Sequence, residues 1–395
     1  MPTPRAGNAS PAHAQQTAQT GRGVEQSPAP TGRSGTTRRD VADELRPYSA
    51  LGVGELTGLA EAAEEPEPAS KRRPWVLPIR ILISLAMLAV LFWRIPDFEW
   101  SALLPDWHGT TLVWLAGALT FTLVAVVLSA LRWQQVLRAM GYRLALPRLA
   151  TTYFACQFVS NVLPTTIGGD VLRVSRISRD TEDAADAFAS VVIERLTGWL
   201  VLPVITFTGF ALNGGLRGLG DASSLAALVA VITLAGLGLI LYTADHPQLG
   251  GRFASREGWR RFVQAVHLGV GRLRQRPLAT LGVLGAGVAY QVVLCVAAWM
   301  AAEAMGMTDA GLTVILAFYP AVLILQVLPI GISGLGIREW ALVQFLHPIG
   351  VPAEQAVALG LILYLLNLGA SLVGAPAFAA GNRQAPAIRT RSPHP

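Results

Sequence analysis

From residue 75 onward the chain alternates long hydrophobic runs with short polar connections. A helix needs about 20 apolar residues to cross a hydrocarbon core of about 30 Å. Six runs predict full membrane spans, at about 75–93, 112–131, 187–212, 225–243, 278–301 and 354–379. Two further apolar stretches, 149–172 and 313–340, are interrupted by Pro and Gly. The pattern therefore predicts an all-α polytopic membrane protein.

Arginines are concentrated in some of the connections, and this bias sets the predicted orientation. The basic segments are 132–148, 173–179, 252–276 and 383–391, while the remaining connections hold only Arg94 and Arg217. Because basic connections stay on the cytoplasmic side, both chain termini are predicted to be cytoplasmic. The net charge of +6 is placed between apolar segments, so it does not indicate nucleic-acid binding.

The two interrupted stretches are predicted to be re-entrant hairpins of opposite orientation. Both neighbours of 149–172 are basic, so this stretch should enter and leave on the cytoplasmic face. Its unbroken part, 149–163, makes about 22 Å of helix, which is too short to cross untilted. By the order of spans, 313–340 should enter and leave from outside. Non-helical backbone at that depth must be buried in protein or line a wet cavity.

The hairpins also carry an internal repeat. VLPTTIGGDVLR at 162–173 aligns with VLPIGISGLGIR at 327–338 at an offset of 165, with six identities in twelve positions. The same offset brings the neighbouring spans into register, which gives repeat halves of about 112–212 and 278–379. The core is therefore predicted to be an inverted repeat, unless two Pro/Gly turns match by chance. Inverted repeats with broken helices point to a transport site near the membrane midplane.

Composition changes this picture mainly at the termini. Hydrophobic residues make up 52% and charged residues 14%, against about 25% charged in soluble domains, which excludes a soluble cytosolic enzyme. Residues 1–70 lack an apolar run and are predicted to be a disordered cytoplasmic tail, with docking or phosphorylation as an alternative role. The transmembrane domain is then 71–380, and 381–395 is a second cytoplasmic tail. Two isolated cysteines, six scattered histidines and no Walker A loop predict neither metal nor cofactor.

The first hairpin carries candidate binding chemistry. Pro164 should end one helix, and Gly168 and Gly169 should allow the reversal. A new helix starting there would present free N–H groups to an anion, or Asp170 could cap it. Arg173 follows one turn later, and guanidinium suits bidentate phosphate binding. The alternative is an ordinary cytoplasmic turn with a positive-inside arginine.

The second hairpin and the following spans add further candidates. Its predicted hinges are Pro329, Gly331, Gly334 and Gly336. Arg338 lies on the side predicted to be outside, so it should either pair with an acid such as Glu339 or bind a lipid phosphate. Glu194 and Arg195 lie inside a predicted span, where ionisable residues are functional candidates. Arg195 could instead snorkel to the interface, whereas Glu194 should face a partner.

One connection is predicted to be a basic interfacial helix. Within 250–276, apolar residues recur at helical spacing and most arginines fall on other faces. Such a helix would lie on the inner leaflet. A solvated linker is the alternative.

The motifs LPTTIGGDVLR, VVIERLTGW and LPIGISGLGIREW resemble the transmembrane domain of lysylphosphatidylglycerol synthases, a bacterial flippase-like membrane family, over about 75–380. The resemblance implies translocation of a lipid across the bacterial plasma membrane. In the full synthases a soluble domain follows that moves lysine from tRNA to the lipid. No such domain follows here before residue 395, so that activity is not expected.

The leading hypothesis is a translocator of anionic or polyprenyl-linked membrane lipids, more transporter than enzyme. Arg173 or Arg338 would hold a headgroup phosphate. Asp170, Glu194 or Glu339 would hold an amino group or take up a proton. One repeat would rock against the other.

Two other functions remain open. One is a membrane-embedded enzyme or accessory subunit of polyprenyl-linked glycan assembly, which would work with a membrane-protein partner and use the Asp170–Glu194 pair. The other is a regulator acting through the tail.

Overall fold

The computed structural model describes residues 76–94, 105, 109–162, 168–245, 257–328 and 334–380, and within these ranges it is helical, without strands. This confirms the all-α class. Both predicted tails, 1–70 and 381–395, lie outside the described residues, as do Pro164, Pro329 and Gly331.

In chain order the α-helices of these ranges are α1 (Val76–Arg94), α2 (Thr111–Ala139), α3 (Leu146–Val162), α4 (Gly168–Thr181), α5 (Ala184–Leu212), α6 (Asp221–Asp245), α7 (Glu257–Arg274), α8 (Pro277–Ala304), α9 (Leu312–Leu325), α10 (Ile337–Leu346), α11 (Ala353–Leu372) and α12 (Gly374–Ala379).

Five helices, α2, α5, α6, α8 and α11, are long and apolar enough to cross a membrane. Helix α1 coincides with the first predicted span and contains the shorter apolar stretch Ser84–Trp93. The total of six full spans therefore stays a prediction. The last predicted span, 354–379, is divided, because α11 ends at Leu372 and Gly374 begins α12. A side chain at Gly374 would collide with the Phe154 carbonyl of α3, so this break lies at a close contact between helices.

Helices α2 and α8 form the central pair of the bundle. Ala118 of α2 and the buried Ala298, Ala301 and Ala302 of α8 belong to one core cluster, and Trp114 of α2 meets Trp299 of α8 edge to face. Small residues let membrane helices approach closely where lipid offers no hydrophobic driving force. Around this pair, α5 packs against α9, and α3 packs against α12.

Both predicted hairpins are helix–break–helix units. Helix α3 packs on α4, and α9 packs on α10. An ion pair between Arg148 and Asp180 joins the ends of α3 and α4 that lie away from the break. Depth and orientation in a membrane stay predictions.

The four hairpin glycines within the described ranges are not equivalent. Gly334 and Gly336 have φ of 76° and 88°, a conformation that favours glycine. Gly168 and Gly169 instead open helix α4. A Cβ on Gly169 would stand 2.7 Å from the Cys156 carbonyl oxygen, so this glycine lets α4 pack on α3. That Gly169 allows the chain to reverse direction in the first hairpin stays a prediction.

The helix boundaries follow the repeat found in the sequence. Shifted by 165 residues, Thr111–Ala139 falls on 276–304, against Pro277–Ala304 for α8. Helix α3 falls on 311–327 by the same shift, against Leu312–Leu325 for α9. The order α2–α5 thus recurs in α8–α11. The inverted orientation of the halves stays a prediction.

Helix α7 corresponds to the predicted basic interfacial helix, and it is docked on the bundle rather than forming a linker. Val266 and Leu273 are buried in a cluster that also contains Val136 of α2 and Ile193 of α5. Arg272 donates from Nη1 to the Met140 carbonyl and to Asp186 Oδ2, both at 2.9 Å.

Tyr142, in the connection between α2 and α3, contacts the same carboxylate as Arg272. Its hydroxyl donates to Asp186 Oδ2 at 2.6 Å, and burial beside this carboxylate raises the pKa of Tyr142. Contact of α7 with the inner leaflet stays a prediction.

Replacing Arg272 with alanine is expected to loosen α7, because two hydrogen bonds from a charged donor are lost. We expect a local destabilisation of about 1–2 kcal/mol, seen as amide hydrogen exchange in α7 that is roughly ten times faster. Gln275→Ala, an exposed neighbour, is the control and should leave exchange unchanged. Equal exchange in the Arg272 variant and the wild type would contradict this docking role.

Candidate functional site

A buried ion triad joins three helices. Glu194 of α5 is only 1% exposed, and both of its carboxylate oxygens accept hydrogen bonds from arginines. Arg132 Nε of α2 donates to Oε1 at 2.8 Å, and Arg173 Nη1 of α4 donates to Oε2 at 3.0 Å. A charge can be buried only when it is paired and hydrogen-bonded. The triad thus fixes the first broken helix unit against α2 and α5.

Aromatic rings enclose the two guanidinium groups. Arg173 Cζ lies 4.2 Å from the centroid of the Trp133 ring and 4.6 Å from that of Tyr153. Arg132 Cζ lies 5.1 Å from the Tyr290 ring centroid. Cation–π contacts of this kind stabilise a desolvated cation without using its N–H donors. The arginines therefore keep hydrogen-bonding capacity despite their burial.

Arg173 has unused donors. The residue is 4% exposed, and its Nε and Nη2 atoms have no hydrogen-bond partner among the described residues. Buried donors in native proteins are nearly always satisfied, so such atoms call for a ligand, an ion or water. Arg173 is therefore the strongest candidate in this part of the chain for contacting a bound anion.

A second ion pair stands at the more accessible edge of the triad. Asp170 Oδ2 pairs with Arg195 Nη2, and Asp170 Oδ1 lies 3.7 Å from Arg173 Nη1. The Arg195 side chain is 49% exposed and that of Asp170 is 23% exposed. The four candidates Asp170, Arg173, Glu194 and Arg195 thus form one charged cluster.

This cluster lines a cavity of about 310 Å³. Side-chain amides from both repeat halves also line it. Asn367 Oδ1 of α11 accepts from Gln157 Nε2 at 3.0 Å and from Asn161 Nδ2 at 3.1 Å, both of α3. Gln326 stands at the repeat position of Asn161 and lines the same cavity. The cavity is thus lined by charged and amide side chains although the surrounding helices are apolar.

The second hairpin contributes to an adjoining, smaller cavity of about 120 Å³. Arg338 lines it, donating from Nε to Gln326 Oε1 at 2.9 Å and from Nη1 to the Gly360 carbonyl at 3.3 Å. The two cavities share Gln157 and Asn367 in their walls. The two cavities, one lined by Arg173 and the other by Arg338, therefore have polar groups in common.

Glu339 stands apart from both cavities. It is fully buried, and its Oε2 accepts the Gly336 N–H at 2.6 Å, which caps α10. Its Oε1 has no partner within the described ranges. Glu339 lines neither cavity, so contact with a headgroup in them is not part of its geometry.

Sequence reasoning missed Arg132 and the amide wall. Arg132 was assigned to a cytoplasmic connection because the predicted span ended at 131, but α2 continues to Ala139. The signal was the pattern of Arg132 and Trp133 followed by further apolar residues at helical spacing. The amides could have been noted as polar residues within apolar helices, where they form contacts between helices.

Residues 79–374 match the family described as the lysylphosphatidylglycerol synthase TM region. The chain belongs to this family. Comparison with individual curated proteins finds no match. The matched region of the lysylphosphatidylglycerol synthase TM family contains both broken helix units, the ion triad and both cavities. The protein is therefore a multi-pass membrane protein linked to lipid handling, as the motif resemblance implied.

Proposed function

We propose that this protein is a lipid translocator, in which a headgroup passes through the polar cavity while the acyl chains stay in the membrane. The observation that carries the proposal is the Arg173 guanidinium, which is buried, lines the cavity and has two unpartnered donor atoms among the described residues. A phosphate moved through an apolar bundle must exchange its water for such donors.

The surroundings of Arg173 support this assignment. The smaller cavity continues toward Arg338, the repeat counterpart of Arg173, and amide groups lie between them. A headgroup would thus meet hydrogen-bonding partners along the whole path. Rocking of one repeat half against the other would open the path to each side in turn. We further propose a place in the bacterial plasma membrane, which the family resemblance implies, with both termini cytoplasmic, as the positive-inside rule predicts.

A membrane-embedded enzyme of polyprenyl-linked glycan assembly is less well supported. Its chemistry would need a carboxylate free to exchange a proton. Both oxygens of Glu194 accept from arginines, and Asp170 is paired with Arg195. Neither carboxylate is placed as a free general acid or base.

The direct test is lipid movement in liposomes that contain the purified protein. Fluorescent phosphatidylglycerol, its lysyl form and a polyprenyl phosphate would be offered in turn, and outer-leaflet label would be bleached with dithionite. The wild type should accelerate transfer of at least one lipid. Arg173→Gln should slow it by about tenfold or more, because a charge-assisted hydrogen bond contributes about 1.5–3 kcal/mol.

Arg179→Gln is the matched control, since Arg179 lies on the same helix but is exposed and outside the cavity. It should transfer lipid at the wild-type rate. Equal transfer by the Arg173 variant would contradict the site. No transfer of any lipid by folded protein, with and without proton and sodium gradients, would contradict translocation.

A further inference from the structure

The charges that line the larger cavity do not balance. Among the described residues, three arginines and two carboxylates face it, which leaves one positive charge in excess. The arginines are Arg132, Arg173 and Arg195, and the carboxylates are Asp170 and Glu194. In a desolvated site an excess charge attracts a counter-ion more strongly than it would in water. The charge inventory favours an anion.

The hydrogen-bonding groups of the cavity also favour an anion. Glu194 already accepts hydrogen bonds from Arg132 and Arg173, and Asp170 forms an ion pair with Arg195. Among the buried side-chain atoms of the described residues that line the cavity, the Nε and Nη2 donors of Arg173 are the ones without a partner. A headgroup ammonium has donors only, so it could not pair with these two donor atoms. A phosphate oxygen would accept from Arg173 while the ion triad stays intact.

The volume limits the rest of the headgroup. A water occupies about 30 Å³ in the liquid, so a cavity of about 310 Å³ holds on the order of ten waters. That is room for a phosphate with a glycerol or one sugar. The amides of Gln157, Asn161 and Asn367, which also line the cavity, suit hydroxyl groups rather than charges.

From these three observations we infer that the cavity takes an anionic lipid headgroup, consisting of one phosphate and a small hydroxyl-bearing group, and that it discriminates against cationic headgroups. This inference rests on the proposed function and specifies its substrate class. It also assigns the roles: Arg173 binds the phosphate, and the excess positive charge excludes an added amine. Arg195 contributes through that charge at the accessible edge.

The test is equilibrium binding to the full-length protein in detergent, so its outcome does not depend on transport. Dihexanoyl phosphatidylglycerol, its lysyl form and dihexanoyl phosphatidylcholine would be titrated and followed by tryptophan fluorescence, because Trp199 lines the cavity. Glycerol 3-phosphate and inorganic phosphate test for a soluble source of the same chemistry. Phosphatidylglycerol should bind at least tenfold more tightly than every other probe.

Variants connect that ranking to the cavity. Arg173→Gln should weaken phosphatidylglycerol binding about tenfold. Arg195→Gln, at a half-exposed position that tolerates change, should weaken it severalfold and reduce discrimination against the lysyl lipid. Arg179→Gln should bind as the wild type does. If Arg173→Gln fails to fold, the inference is still tested by lipid binding to Arg195→Gln and by the order of affinities that the wild type shows for the probes.

Three results would overturn the inference. They are equal or tighter binding of the lysyl lipid, equal binding of glycerol 3-phosphate, and no effect of any cavity arginine on binding. The first would leave a translocator of another lipid class in place. Conversely, selective binding without transfer in liposomes would contradict translocation and leave the anion site standing.

Discussion

Replacing Glu194 with alanine is expected to lower the free energy of unfolding by about 3–5 kcal/mol, the usual cost of removing one partner of a buried ion pair. The reason lies in the two guanidinium groups that share this carboxylate. Without it, Arg132 and Arg173, which are only 6% and 4% exposed, would be two like charges with no counter-ion between them. Both guanidinium groups would be left undercompensated.

The loss should appear as a melting midpoint in detergent lower by on the order of 10 °C. Glu194→Gln keeps the shape and one acceptor oxygen, so its loss should be smaller. Asp309→Ala, an exposed carboxylate in a connection, is the control and should melt within about 1 °C of the wild type.

A double-variant cycle separates the ion pair from simple loss of packing. The combination of Glu194→Ala with Arg132→Ala should cost less than the two single changes added together, because each residue is the other's partner. Additive losses, or a Glu194→Ala midpoint close to the control, would show that the triad does not stabilise the bundle.

The helices could be predicted from the sequence because apolar periodicity and length decide them locally. The repeat was also visible, since Gly169 and Arg173 recur at Gly334 and Arg338. Contacts between distant helices could not be predicted this way. Nothing in the spacing of Gln157 and Asn367 says that they hydrogen-bond, because that contact depends on how α3 and α11 cross.

The candidate site was predicted in its members but not in its chemistry. Glu194 was expected to face a partner, and it does, but Arg132 as one partner was hidden by a span boundary drawn at 131. The sequence alone allows Asp170 and Glu194 as amine or proton sites. Only their neighbours, Arg195, Arg132 and Arg173, show that these carboxylates are already engaged. These ion pairs depend on the tertiary structure, so the sequence alone does not predict them.

Substitution of Gly209 is expected to have the other large effect, through packing rather than charge. This glycine of α5 faces α9, and a Cβ there would stand 2.6 Å from Ala317 Cα and 2.7 Å from the Leu316 carbonyl carbon. Both are backbone atoms, so no rotamer change can relieve the overlap. Gly209→Ala should therefore cost about 1–3 kcal/mol, and Gly209→Val more.

The matched control is Gly238→Ala in α6, a helical glycine where an added Cβ would have no neighbouring atom within 4 Å. There the same substitution should be neutral or stabilise by up to about 1 kcal/mol, because alanine favours helix over glycine. The two variants gain the same methyl group and the same helix propensity. Opposite shifts in melting midpoint would thus isolate the α5–α9 contact, whereas equal shifts would mean that these helices do not approach at Gly209. Since α5 carries Glu194 and α9 is the first helix of the second hairpin, a close contact here would transmit movement from one repeat to the other.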